Sequence, residues 1–236
     1  MHKELFCTYY NMWKANTKSM LRKRKRIARN SESDSDVEEE RCESPAMGDL
    51  GLFDAMMQKQ GVRIEDNHIY LYTDVSQRSM ESLVKAIREL NCDLGAMTLR
   101  YGIEPCIYLH INSDGGEVYP ALAAVDTIMS SRIPVVTIVE GCVASAATLL
   151  SIAGSERRMS KHSHMLIHEV RSSFWGKMNQ IEEEMTNLDK LMSMIVDIYK
   201  TQTTMKDAEI RRILRKDEMW DAAKCLKKGL VDTIGM

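Results

Sequence analysis

Apolar residues recur along this chain with two different periods, and the alternation of those periods predicts its architecture. Residues 68–72, His-Ile-Tyr-Leu-Tyr, read as a strand. Met80, Leu83, Val84, Ile87 and Leu90 are spaced by three and four, which predicts a helix over 77–90. The stretch from Asn91 to Glu104 is polar and irregular, with Gly95 and Gly102, and reads as a loop or a ragged extension of that helix. Cys106 to Ile111 alternates and predicts a second strand, broken by Ser113-Asp114-Gly115-Gly116. A helix over 117–130 ends before Pro134. Val135 to Val139 is a β-branched run; Glu140-Gly141 predicts a turn, and the Ala- and Leu-rich stretch up to Gly154 a helix. Met165 to His168 is a short apolar run. Over 177–203 Met178, Ile181, Met185, Leu188, Met192, Ile195 and Tyr199 mark a long amphipathic helix. Shorter helices follow at 206–214 and 221–228, and Gly229-Leu-Val-Asp closes the pattern. Strands alternating with helices indicate an α/β fold with a largely parallel sheet. No internal repeat is present.

The first 47 residues lack this patterning. Residues 21–29 form a basic block and residues 31–40 an acidic, serine-rich one. Such segments bury too little apolar surface to offset the entropy of ordering, so 1–47 is predicted to be a disordered charged arm and 48–236 the globular domain. Residues 5–13 are more apolar and could dock on a partner. The basic block reads as a solvated tail or as a nuclear or nucleic-acid patch, and the acidic block speaks against a mitochondrial transit peptide. Ser31, Ser33 and Ser35 are candidate phosphorylation sites. Across the whole 236 residues, 44% hydrophobic content supports a core, and a net charge of -2 argues against general nucleic-acid binding. The six cysteines (7, 42, 92, 106, 142 and 225) form no CxxC pair and read as free thiols. No apolar run is long enough to span a bilayer. The 18 methionines read as adaptable core filling.

Candidate chemistry centres on Ser145, at the predicted strand-to-helix junction among small residues. Backbone N–H groups in a first helical turn lack intrahelical partners and favour a developing anion. A helix N-cap serine fits the same stretch. His168 ends a predicted strand, where a histidine is more often structural, and alternation places His162, His164 and His168 on one face and leaves the choice among them open. Asp217 sits in a charged run, and Gly115-Gly116 could be an ordinary turn. Their co-occurrence changes the picture. A serine hydrolase needs a hydroxyl, an imidazole base, a carboxylate and oxyanion donors. Each candidate falls at the C-terminal end of a predicted strand or just beyond one, the edge where open α/β sheets build sites.

Ile111-Asn-Ser-Asp-Gly-Gly116, Gly141-Cys-Val-Ala-Ser145, Met165-Leu-Ile-His168 and Gly229-Leu-Val-Asp232 resemble the proteolytic subunit of the ATP-dependent Clp protease, the ClpP family, from about residue 60 to the C-terminus. The resemblance implies the ClpP/crotonase-like fold of stacked ββα units, a long handle helix over 177–203 and a Ser-His-Asp triad. Matched position by position, Ser145 is the nucleophile, His168 the general base and Asp217 the orienting carboxylate. Gly116 and Ala146 supply the oxyanion-hole N–H groups, and losing one such donor costs about 100- to 1,000-fold in rate. Gly115 and Gly176 line the substrate, Gly176 from a strand. No cofactor or metal is implied; ATP would be used by a partner. The implied partners are unfolded polypeptides or short peptides, an AAA+ unfoldase, and further copies of the chain in heptameric rings, possibly two stacked. No nucleic acid at the core domain and no membrane are expected, and the localisation implied is cytoplasmic.

The chain departs from the family pattern in several places. Ala146-Ala147 replaces Met-Gly, and Ala147 is expected to tighten the turn. Asp114 replaces a proline, Glu169-Val170 replaces a segment with a proline, and an insertion at 92–104 lies near where the family's unfoldase docks. Two rival readings remain open: a catalytically inactive scaffold subunit, and a crotonase-type acyl-CoA enzyme. A signal-peptide-peptidase relative would need a Ser-Lys pair and a membrane anchor.

Overall fold

A hairpin comes first among the described residues: β1 (Arg63–Glu65) runs antiparallel to β2 (His68–Leu71). The structure, a computed structural model, describes residues 61–235, so the arm expected over 1–47 lies outside the described residues. From β2 the sheet continues in parallel through β3 (Ile107–Ser113), β4 (Val135–Ala144), β5 (Glu156–Met159) and β8 (Thr233–Ile234). This is the α/β, largely parallel sheet that the sequence predicts.

Helix α1 (Gln77–Tyr101) is longer than its 77–90 pattern suggested. Its apolar stripe continues through Leu94 and Met97, both buried, so the 92–104 stretch is helix rather than loop until Gly102 caps it in the left-handed region. Ser76 and Ser79 close a reciprocal capping box at its start. Helix α2 (Val118–Met129) packs beside it and α3 (Ala146–Ile152) beside α2, and every residue of α3 is buried. The core lies between these helices and the sheet, where Ile69, Leu71, Leu109, Ile111 and Val139 are fully buried.

β4 positions the rest of the chain. Its first half, Val136 to Val139, pairs with β5. Its second half, Cys142 to Ala144, pairs in parallel with β6 (His164–Ile167), which carries β7 (Glu218–Asp221) antiparallel on its far side. The predicted turn at Glu140-Gly141 is instead a bulge within one ten-residue strand. Ile111 pairs with Val139 but Ser113 with Val143, so β4 accommodates two extra residues there. Gly141 takes a φ of 61°, and a Cβ on it would lie 2.9 Å from Asn112 Oδ1. That same Oδ1 accepts from the Cys142 N–H at 3.2 Å, which fixes the bend.

The long helix α4 (Met178–Gln202) buries only its C-terminal half, through Leu191, Ile195, Val196 and Tyr199. Met178 and Met185, in its first half, are exposed. Helices α5 (Asp207–Leu214) and α6 (Ala222–Lys227) complete the chain. Arg157 ties its end down, pairing with Asp232 and donating to the carbonyl oxygens of Gln202 and Gly229.

Candidate active site

Register alone brings the candidate residues together. Ala144 pairs with Leu166, so Ser145, one residue beyond β4, lies beside the end of β6; its N–H donates to the Leu166 carbonyl at 2.9 Å. Ile167 pairs with Glu218 in the antiparallel β6–β7 ladder. His168 and Asp217 directly adjoin this last pair. Serine, histidine and aspartate therefore come from three adjacent strand ends, in the spatial order β4, β6, β7.

Ser145 occupies a sharp strand-to-helix corner. Its φ of 54° and ψ of -129° are unfavourable for a residue with a Cβ, and such a conformation costs about 1–3 kcal/mol. Its side chain makes no capping hydrogen bond to α3, which separates it from an ordinary N-cap serine. The tight turn expected at Ala147 is absent: positive φ falls on Ser145, while Ala147 is a buried helical residue.

The Gly115-Gly116 turn lies against this corner. Gly115 has a φ of 94°, and a Cβ there would sit 2.6 Å from the Ala144 carbonyl oxygen, 2.7 Å from Ser145 Cβ and 3.1 Å from Ala146 N. Gly116, at φ 145°, bridges Val75, whose carbonyl a Cβ would meet at 2.1 Å. The bridging hydrogen bonds are made by Gly115 O and Glu117 N. The Gly116 N–H stands outside them, as expected for the bridged residue of a parallel pair. The Ala146 N–H, at the first position of α3, has no intrahelical acceptor.

The side chains of His168 and Asp217 are not joined. His168 Nδ1 lies 2.7 Å from the carbonyl oxygen of Glu169, to which it donates. Asp217 Oδ2 accepts from the Arg171 guanidinium at 2.5 Å, in a pair that is mostly exposed. Among the described residues no hydrogen bond links Ser145 Oγ to His168. The backbone thus delivers all three residues to neighbouring strand ends, while the imidazole and the carboxylate are each engaged by another partner.

Gly176 lies in a bend before α4 and outside any strand, so the strand expected to carry it is absent. Cys142, three residues before Ser145, is no rival nucleophile: burial, and then the charge of Asp114, push its thiol up. Among the described residues no cluster of three histidine, cysteine or acidic side chains could hold a metal ion. Sequence reasoning missed Arg171, Thr148 and Tyr199. Thr148 bonds the Ser145 carbonyl and Tyr199 bonds Thr148. A threonine at the fourth residue of a serine-headed helix is a local signal; nothing local announces Tyr199.

An α/β sheet with a strained serine at a strand-to-helix corner, and histidine and aspartate at neighbouring strand ends, defines a serine-hydrolase type of scaffold. The profile of the Clp protease family matches residues 54–236. The chain is 30% identical over 173 residues to the ATP-dependent Clp protease proteolytic subunit of Deinococcus radiodurans, covering 72% of this chain and 81% of that one. It is 30% identical over 183 residues to the ATP-dependent Clp protease proteolytic subunit 2 of Treponema denticola, covering 77% and 86%. The chain belongs to the Clp protease family and is a peptidase of the ClpP type.

Proposed function

We propose that this chain hydrolyses peptide bonds with Ser145 as nucleophile, His168 as general base and Asp217 as the carboxylate that orients it. The observation that carries the proposal is the strained corner at Ser145, set beside the end of β6 by register. In the working arrangement His168 Nδ1–H leaves the Glu169 carbonyl for Asp217, and Asp217 leaves Arg171. Ser145 Oγ then attacks the scissile carbonyl carbon while His168 Nε2 takes its proton. The oxyanion is received by the Gly116 and Ala146 N–H groups. Collapse expels the amine, protonated by His168, and water releases the acyl group by the same route. Asp217 stabilises the imidazolium throughout.

Substrates are short peptides or unfolded polypeptides, with Gly115 and Gly176 along the bound chain. Further copies form rings, for which the exposed apolar half of α4 supplies contact surface. An ATP-driven unfoldase delivers large substrates, and the chain itself uses no cofactor. No helix among the described residues is long and apolar enough to cross a membrane.

The test is labelling of the purified full chain by a fluorophosphonate, beside Ser145→Ala, with particle size recorded. Labelling and peptide hydrolysis in the wild type, both abolished in the variant, are expected. Equal labelling of the two proteins overturns Ser145 as the nucleophile.

A further inference from the structure

We infer that Tyr199, on the long helix α4, is a positioning residue for the nucleophile: through the Thr148 hydroxyl it pins the Ser145 carbonyl and thereby aims the adjoining Ala146 N–H. The inference rests on the roles proposed above for Ser145 and Ala146.

Three atoms carry it. The Tyr199 hydroxyl oxygen lies 2.5 Å from Thr148 Oγ1, and Thr148 Oγ1 lies 2.5 Å from the Ser145 carbonyl oxygen. The backbone N–H of Thr148 donates to the same carbonyl at 3.0 Å. Thr148 is fully buried and Tyr199 only 2% exposed, so water does not compete. Counting protons fixes the direction of the chain. A carbonyl oxygen only accepts, so the single Thr148 proton goes to Ser145. Thr148 Oγ1 is then an acceptor, and the Tyr199 proton goes to it. The reverse order would leave the Tyr199 proton buried without an acceptor, which is costly. Desolvation raises the Tyr199 pKa far above that of an ordinary phenol, so the donor stays protonated at any working pH.

Ser145 is held from both sides. Its N–H is bound by the Leu166 carbonyl at the end of β6, and its C=O by Thr148. The Ser145 carbonyl and the Ala146 N–H belong to one planar peptide unit and point in opposite directions. Fixing the carbonyl therefore fixes where the Ala146 N–H aims. A donor aimed at an oxyanion acts chiefly in the transition state, so its misdirection lowers kcat rather than raising KM. α4 thereby reaches the catalytic corner through two hydroxyls without touching the substrate.

The test uses full-length Thr148→Val, Tyr199→Phe and Thr148→Ser, with peptide hydrolysis expressed per fluorophosphonate-titrated site so that loss of folded protein cancels. Thr148→Val should lower kcat about tenfold and Tyr199→Phe about threefold, each with KM little changed, which are effects of the size of one buried hydrogen bond. Thr148→Ser keeps the hydroxyl and should restore most of the rate. Crystal structures of wild type and Thr148→Val give a readout independent of turnover: the Ser145–Ala146 peptide plane should rotate on substitution. An unrotated plane, or unchanged kcat in both hydroxyl-deleting variants, overturns the inference. Should Ser145→Ala keep wild-type turnover, the assignment of Ser145 as nucleophile fails by itself, and the peptide plane still decides whether the hydroxyl chain positions Ser145.

Discussion

Two histidines on the same sheet, His110 on β3 and His168 just beyond β6, show how differently one side chain can be used. His110 is 6% exposed and has both ring nitrogens engaged. Its Nε2 lies 2.9 Å from His68 Nδ1, and its Nδ1 lies 2.9 Å from Glu140 Oε1. Tyr70 stacks on its ring at 4.5 Å, and the Tyr72 hydroxyl donates to the other Glu140 oxygen. The parallel register builds this network, because Tyr70 pairs with His110 and His68 with Tyr108 across the strands. His168 is half-buried, and its Nδ1 is held by the carbonyl of the next residue. Its Nε2 has no hydrogen-bond partner among the described residues. A ring with both nitrogens committed builds structure. A ring with one free nitrogen, and the other on an exchangeable acceptor, can move protons.

That contrast predicts opposite phenotypes. His168→Ala should lower peptide hydrolysis by a factor on the order of 1,000 or more, while the urea midpoint of unfolding moves little. His110→Ala should destabilise the fold by about 2–3 kcal/mol, because it opens a void and strips His68 and Glu140 of a buried partner. Its activity per folded site should be close to wild type. Denaturant titration and active-site-normalised kinetics on the two variants check both halves. Matched losses of rate and stability in both variants would erase the distinction.

The sequence exposed the two regions unequally. The Ser145 corner was legible as a place because Gly115-Gly116, Ser145 and His168 sit in short motifs at strand ends, and Asp217 lies at a fixed distance from both flanks. The long helices were legible from three-four spacing, although the polar residues of α1 hid its last eleven positions. Strands β5 and β7 were not legible, since Glu-Arg-Arg-Met and Glu-Met-Trp-Asp carry no alternation or apolar run. Their pairing is decided by β4 and β6. The His68–His110–Glu140 network was invisible for a related reason, as its members lie on three strands and meet only through register. The 3.6-residue stripe on α4 was read correctly as amphipathic, yet among the described residues only half of it is buried.

Arg171 sharpens the same comparison with a smaller effect. Its guanidinium engages the carboxylate proposed to orient His168, but both partners are largely exposed, and exposed pairs are weak. Arg171→Ala should therefore raise kcat about two- to threefold at low ionic strength. The gap between variant and wild type should close as salt screens the pair. Initial rates measured across a salt series decide the point. A rate that falls on Arg171→Ala would show that the arginine supports the working arrangement instead of opposing it.

The smallest effect belongs to the structural pair and appears as pH dependence. Burial and the neighbouring His110 lower the pKa of His68 below its ordinary value of 6.5, outweighing Asp66 and Glu65, which raise it. A depressed pKa on a base means that the unfolded chain binds more protons than the native one as pH falls through that range. The contribution is fully present above the ordinary value and is lost as pH drops below it towards the folded pKa. Burial sets the direction, and the facing nitrogens add to it. His68 and His110 share one proton between Nδ1 and Nε2, and the pair cannot carry hydrogens on both facing atoms. Urea midpoints should therefore fall on acidification from pH 7.5 to 5.5, and His68→Gln should flatten that slope. An equal slope in the variant would assign the acid sensitivity to other groups and leave His110 and Glu140 as a network indifferent to its second histidine.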